Sequence, residues 1–460
     1  MKLLKNYFYQ FFYQFLNLLV PLITLPYITK TLGAENYGLY VYSFTIISYL
    51  ILITDFGLRV YGSRKISYIR NNLSKKTNVF WEIFFTKLIL TLVVLIVSIV
   101  VFFCKKLSLI YWIQLIMLVI SIFDISWFYQ GIEEFKEVAI RNLIIKIMYI
   151  ILVFLFVKNQ NNLNIYILIV IITNFIGNLI LYISLNKQIL KPNLKNLQLK
   201  ATLKESIHLF LPEMAIKFYT SMDRIMLGYF LLKKDVSYYD IANKFLIIIM
   251  IGITTCGSVM LPKISNLFYE NKFDEIKKLL GIVTDYYLMI SIPLICGILA
   301  TSKQLVILYL GNEYIEVIPI INIMSFTIIF WTISNITGSQ ILIPMKKEKI
   351  LTKSVIIGSI INLILNLILI RKIGVLGVVI ATFITEGVVT SIQIYYSKEY
   401  LNFNLLKLLK YLFSSIIMYI IIIIIKPLYL KIISGIIIYL LLMIILKVID
   451  LKQIKIYIKK

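Results

Sequence analysis

LPEMAIKFYTSMDRIMLGYF, residues 211–230, is long and apolar enough to cross a bilayer as a helix, yet it carries Glu213, Lys217, Asp223 and Arg224. Each charge costs about 2.5 to 3.5 kcal/mol at the centre of an isolated membrane helix. Reading the stretch as a membrane span therefore requires that the side chains share a direction. At 100° per residue, with Glu213 at zero, Lys217 falls at about 40°, Thr220 at about −20° and Arg224 at about 20°. Asp223 lies beside this stripe at about −80°, and Leu211, Met214 and Ile225 form an apolar opposite face. A rise of about 1.5 Å per residue separates Glu213 from Arg224 by about 16 Å, so the charges line one side at several depths.

The surrounding chain supports the membrane reading. It has 460 residues, 60% of them hydrophobic, with 28 Phe and 32 Tyr, which a water-soluble protein of this length would not need. Its 47 Lys and Arg against 22 Asp and Glu lie in short clusters between apolar runs, which suits a membrane surface and not nucleic acid. Cys104, Cys256 and Cys296 form no paired motif, and the single His208 lies opposite the charged stripe, so no metal site, disulfide framework or cofactor is expected. MKLLKNYFYQFFYQF at the start carries no cleavage pattern and reads as a retained first span.

Apolar stretches of about 18 to 25 residues number fourteen, and an even count puts both termini on one side. The termini and the connections on their side hold thirty basic residues, against eleven on the other side. That asymmetry predicts cytoplasmic termini. The longest polar break predicts a join between halves: a bundle of six helices at 1–185, a basic linker at 186–204, a second six-helix bundle at 205–396, and two further helices with a basic tail at 397–460. TLGAENYGLY at 31–40 and MLGYFLLKKDVSYYDIA at 226–242 share the order Leu-Gly, loop, Tyr, span, a weak echo of one half in the other.

Polar groups within the spans supply the candidate site. The first span places Gln10, Gln14 and Asn17 on one face with Pro21, an uncharged counterpart of the 211–230 stripe. Asp55 and Arg59 stand four apart and can satisfy each other. Lys87, Lys217 and Glu386 lie deep enough to need a partner or a water-filled path. The amide pairs Asn174/Asn178 and Asn362/Asn366 suit hydrogen bonding between helices.

Four segments carry a family resemblance: LPYITKTLGAENYGLYVYSFTIISYLILITDFGLRVYGSRKIS (25–67), WFYQGIEEFKEVAIRNLIIK (127–146), FLPEMAIKFYTSMDRIMLGYF (210–230) and GVLGVVIATFITEG (374–387). They resemble the Wzx-type polysaccharide flippases of the multidrug/oligosaccharidyl-lipid/polysaccharide exporter superfamily. The resemblance implies an all-α polytopic fold with two six-helix bundles around a central cavity. It implies a non-enzymatic carrier in the bacterial cytoplasmic membrane that moves an undecaprenyl-pyrophosphate-linked oligosaccharide outward by alternating access, with the bilayer and other polysaccharide-assembly proteins as its partners. On that reading Lys217, Arg224 and Lys87 contact the diphosphate. Glu213, Thr220, Gln10, Gln14 and Asn17 complete the cavity wall, and Asp55, Arg59, Asp223 and Glu386 serve as countercharges or ion-coupling groups. The first span departs from relatives that flip the peptidoglycan precursor, which place arginines there. The alternatives are a cation-coupled drug exporter of the same superfamily and a membrane-embedded glycan polymerase or ligase; the short outer loops weigh against the last.

Overall fold

The computed structural model describes residues 2–185, 188–194, 197–401 and 403–448, leaving aside the side chains of 2–18, 255, 256, 258 and 259. It is helical, with no strand among the described residues. The chain forms two compact units, residues 1–237 and 238–460.

In the first unit α1 (Lys2–Asp55) contains two of the expected spans, because Gly33 takes φ 78 and ψ 167 and breaks the helix in its middle. A glycine tolerates that conformation where other residues would strain. The amphipathic α2 (Leu58–Ile69) buries Leu58, Tyr61, Gly62 and Ile66 and turns Arg64, Ser67 and Tyr68 outward. The long α3 (Leu73–Cys104) opens on Asn72, whose side chain accepts the Lys75 N–H. There follow α4 (Leu109–Ser121), α5 (Ser126–Gly131), α6 (Phe135–Phe156), α7 (Leu163–Leu185) and α8 (Leu199–Phe230). The aromatic core under α2 joins Tyr61 and Ile66 to Phe80, Trp127, Phe128 and Tyr129. A Cβ on Gly62 would press into the Trp127 ring and stand 2.8 Å from Ile83 Cδ1, so only glycine lets α2 seat this closely.

The polar segment between α7 and α8 is strapped to α3. Leu190 donates to Thr77 Oγ1 at 3.1 Å, and Trp81 Nε1 donates to the Leu190 carbonyl at 3.0 Å. Lys76 donates to Gln188 at 3.0 Å. At the far end Glu82 accepts the Gln198 N–H at 3.1 Å and the Thr202 hydroxyl at 3.4 Å, supplying a carboxylate to the start of α8. α8 packs on α1, α2 and α3 and belongs to the first unit.

The second unit starts within α9 (Lys233–Tyr269) and continues with α10 (Phe273–Tyr309), α11 (Val317–Ser325), α12 (Thr327–Ser334), a π-helix at Asn335–Leu342, α13 (Glu348–Ile373), α14 (Val375–Ser397), α15 (Leu405–Ile424) and α16 (Leu428–Ile445). A 42° bend separates Val317–Ser325 from Thr327–Leu342. The glycine pair Gly374 and Gly377 turns α13 back on α14, with the carbonyl of Leu369 against Gly377. Among the described residues eleven helices are long and apolar enough to cross a membrane, twelve if the bent pair is one span. This is fewer than the fourteen stretches expected: α1 counts once although Gly33 divides it, and the charges of α8 keep it out of an apolar count.

Candidate functional site

The site begins with a break between two helices. α1 ends at Asp55 because Phe56 (φ 42) and Gly57 (φ 74) both turn left-handed. A Cβ on Gly57 would lie 2.5 Å from the Ser206 carbonyl oxygen and 2.8 Å from Phe210 N, so its absence lets the α8 backbone rest on the turn. Across this turn Arg59 meets Asp55 Oδ2 at 3.3 Å. The i, i+4 pair read from the sequence is present.

Asp55 has a second cation. Lys87 Nζ on α3 lies 2.6 Å from its other oxygen and is 4% exposed. Arg59 also reaches Asp124 at 3.3 Å, and Arg141 on α6 meets the remaining oxygen of Asp124 at 3.3 Å. The same Asp124 oxygen accepts the N–H of Ser126 at 3.0 Å, so the carboxylate fills the break between α4 and α5. Arg141 donates onward to Asn178 Oδ1 on α7 at 2.7 Å, and Asn178 donates to the Ile120 carbonyl at 3.1 Å. Three cations thus alternate with two carboxylates, carried on α1, α2, α3, α6 and the α4–α5 break. Such a chain costs much less than isolated charges because each buried member has an opposite neighbour. Arg59 is its most exposed member, with 46% of its side chain accessible.

Lys87 and Asp55, expected in different roles, are brought together as a buried pair. Asp124, Arg141 and Asn178 belong to the same network, although only the Asn174/Asn178 spacing and the in-span position of Asp124 signalled them in sequence. Outside the spans Lys65 pairs with Glu205 at 3.2 Å; burial pulls its ammonium down, but Glu205 and Tyr61 more than offset this and hold it above the ordinary lysine range.

The α8 stripe has a different setting. Glu213, Lys217 and Arg224 are half-exposed, and Thr220 is exposed. Tyr49 of α1 holds the middle of the stripe: its hydroxyl donates to the Lys217 carbonyl at 3.0 Å, and its ring centroid lies 5.7 Å from Lys217 Nζ. Phe218 meets the same ring edge-on at 5.4 Å. Arg224 donates to the Thr220 carbonyl at 3.0 Å, which folds its guanidinium back along the helix. Asp223, placed beside the stripe by its angle, is buried at 3% exposure. Glu386 is buried on α14 in the second unit. The side chains of Gln10, Gln14 and Asn17 lie outside the described residues.

An all-helical chain with this many apolar spans, and with charges kept on embedded helices, is a multi-pass membrane protein of the transporter type. Its family is shown directly: the model of the polysaccharide biosynthesis protein family matches residues 3–268, and the chain belongs to that family. The chain is 25% identical over 408 residues to a putative O-antigen transporter of Escherichia coli (strain K12), covering 87% of this chain and 97% of that protein. Its fold is similar to that of the lipid II flippase MurJ in an inward closed conformation, with a TM-score of 0.78 at 19% identity over 95% of this chain and 98% of that one. It is also similar to an inward-facing multidrug resistance MATE transporter, at 0.67 and 13% identity over 82% and 94% of the two chains. The fold is that of the MurJ and MATE transporters, and the family is not one of enzymes.

Proposed function

We propose that this protein carries a polyprenyl-diphosphate-linked oligosaccharide from the cytoplasmic to the outer leaflet of a bacterial cytoplasmic membrane by alternating access, for surface polysaccharide assembly. The observation that carries the reading is the contrast within the first unit. Asp55 and Asp124 are each held between cations, whereas Lys217 stands half-exposed on the α8 stripe and meets the Tyr49 ring. Charges in that position call for water, protein or substrate beside them.

The chemistry of the cargo fits. A diphosphate and its sugars must cross about 30 Å of hydrocarbon while the polyprenyl tail stays in lipid, which requires a polar furrow open to the bilayer. Arg224 offers a planar fork to phosphate oxygens, and Lys217 a point charge. Thr220 and Glu213 suit sugar hydroxyls, and the Tyr49 ring beside Lys217 gives a flat apolar surface against a sugar face. The two compact units, residues 1–237 with the stripe and 238–460, would be the moving bodies. The name of the E. coli relative supports the substrate class.

The test substitutes Lys217→Ala and Arg224→Ala in the native host. Both variants are expected to reach the membrane in full amount, to lose surface polysaccharide, and to accumulate the lipid-linked intermediate on the cytoplasmic face. Normal surface polysaccharide in both would remove the stripe from the site. Unchanged glycans with drug sensitivity on deletion would replace the reading with drug export.

A further inference from the structure

The second unit contains a cavity of about 480 Å³ between α9, α10, α15 and α16, lined by apolar side chains such as Phe245, Leu294, Met418 and Ile436. One cation interrupts the lining. Lys431, in the first turn of α16, is only 6% exposed, and its ammonium donates to the Ala300 carbonyl at 3.1 Å. No carboxylate forms an ion pair with it among the described residues. A buried ammonium with one neutral acceptor retains two donors and a charge with nothing opposite.

Two more features converge at this end. α16 starts after Pro427 with no side chain capping its first N–H groups, which favours an anion there. Gln304 on α10 donates to the Lys426 carbonyl at 2.6 Å, which ties the α15–α16 turn beside Lys431 to α10.

We infer that this cavity is a binding site for a membrane phospholipid of the phosphatidylglycerol type, with its phosphodiester on Lys431 and the α16 N-terminus and an acyl chain in the apolar cavity. Charge selects the occupant. One ammonium balances one phosphodiester, whereas a diphosphate carries more negative charge and is better matched by the several cations of the first unit. A headgroup of net negative charge is selected over a choline one, whose own cation would sit against Lys431. The lining from Lys431 to Leu440 covers about 14 Å along α16, about one leaflet of hydrocarbon.

The full-length protein is purified in mild detergent, and its retained lipid is measured by native mass spectrometry, first as isolated and then after exchange into nanodiscs of phosphatidylglycerol or phosphatidylcholine. One retained phospholipid per chain is expected, with phosphatidylglycerol preferred. Lys431→Met keeps the side-chain volume and should weaken retention about tenfold, the size of one charge-assisted hydrogen bond, while Lys431→Arg preserves it. Gly435→Leu, which fills the cavity from α16, should displace the lipid without removing the cation. Equal retention by Lys431→Met, no preference between the two lipids, or a retained polyprenyl species in place of the phospholipid would each overturn the inference. Surface polysaccharide is scored in the same variants, so failure here is separable from failure of the flippase reading.

Discussion

Lys87 shows what one buried charge does in this protein. Its ammonium is 2.6 Å from Asp55 in a nearly inaccessible setting, and Asp55 is shared with Arg59. Breaking a buried pair by removing one partner costs about 3–5 kcal/mol, whereas replacing both with neutral groups of similar size can be nearly harmless. Lys87→Met is therefore expected to lower the thermal midpoint in detergent markedly, and the double variant Asp55→Asn with Lys87→Met to recover most of the loss. Equal midpoints for wild type and Lys87→Met would mean the pair is not a structural tie. By contrast Lys217→Ala should leave the midpoint nearly unchanged while removing transport, because Lys217 is half-exposed and meets a ring, not a carboxylate. The two lysines are indistinguishable in sequence, since both lie deep in apolar runs. Periodicity placed Lys217 on a stripe with Thr220 and Arg224 because those residues share one helix. It could not join Lys87 to Asp55, or Arg141 to Asp124, because those contacts cross between helices distant in the chain.

At the scale of elements, the turn after α1 is the joint on which the network depends. Gly57 combines a left-handed backbone with α8 backbone atoms 2.5 Å and 2.8 Å from where its Cβ would be. Gly57→Ala must meet both the strain, about 1–2 kcal/mol, and the clash. It is expected to lose at least about 2 kcal/mol and to reduce export, whereas Gly281→Ala on α10, where a Cβ would meet nothing within 4 Å, should be neutral or slightly stabilising. Matching melts for the two variants would sink this account of the turn. The helices themselves were legible as apolar runs, but their ends were not. α3 has 32 residues and α9 and α10 have 37 each, about 48 to 56 Å of helix against about 30 Å of hydrocarbon. The overhang is polar and reads in sequence as loop. The strap on Glu82 and Trp81 was hidden for the same reason: a basic, proline-containing segment looks like a free linker unless the side chains that hold it are known.

For the whole molecule, the strongest sequence signal concerns sidedness. Thirty basic residues on one set of connections and eleven on the other predict that the loops around Lys75 and Lys346 face the cytoplasm and those around Lys105 and Lys158 face outward. The folded chain suits labelling at each point: Lys75, Lys105 and Lys158 are exposed, and Lys346 lies in the turn before α13. With Cys104, Cys256 and Cys296 replaced by serine or alanine, Lys105→Cys and Lys158→Cys should react with a membrane-impermeant maleimide in intact cells. Lys75→Cys and Lys346→Cys should react only after permeabilisation. Because fourteen alternating spans put all even connections on one side, a single discordant position tests the span count as well as the orientation. Labelling of Lys346→Cys from outside, with Lys75→Cys still protected, would mean that an odd number of crossings separates them. One of the stretches between, α8 with its charged stripe being the first suspect, would then not cross the membrane, and the diphosphate furrow proposed on it would lose its place.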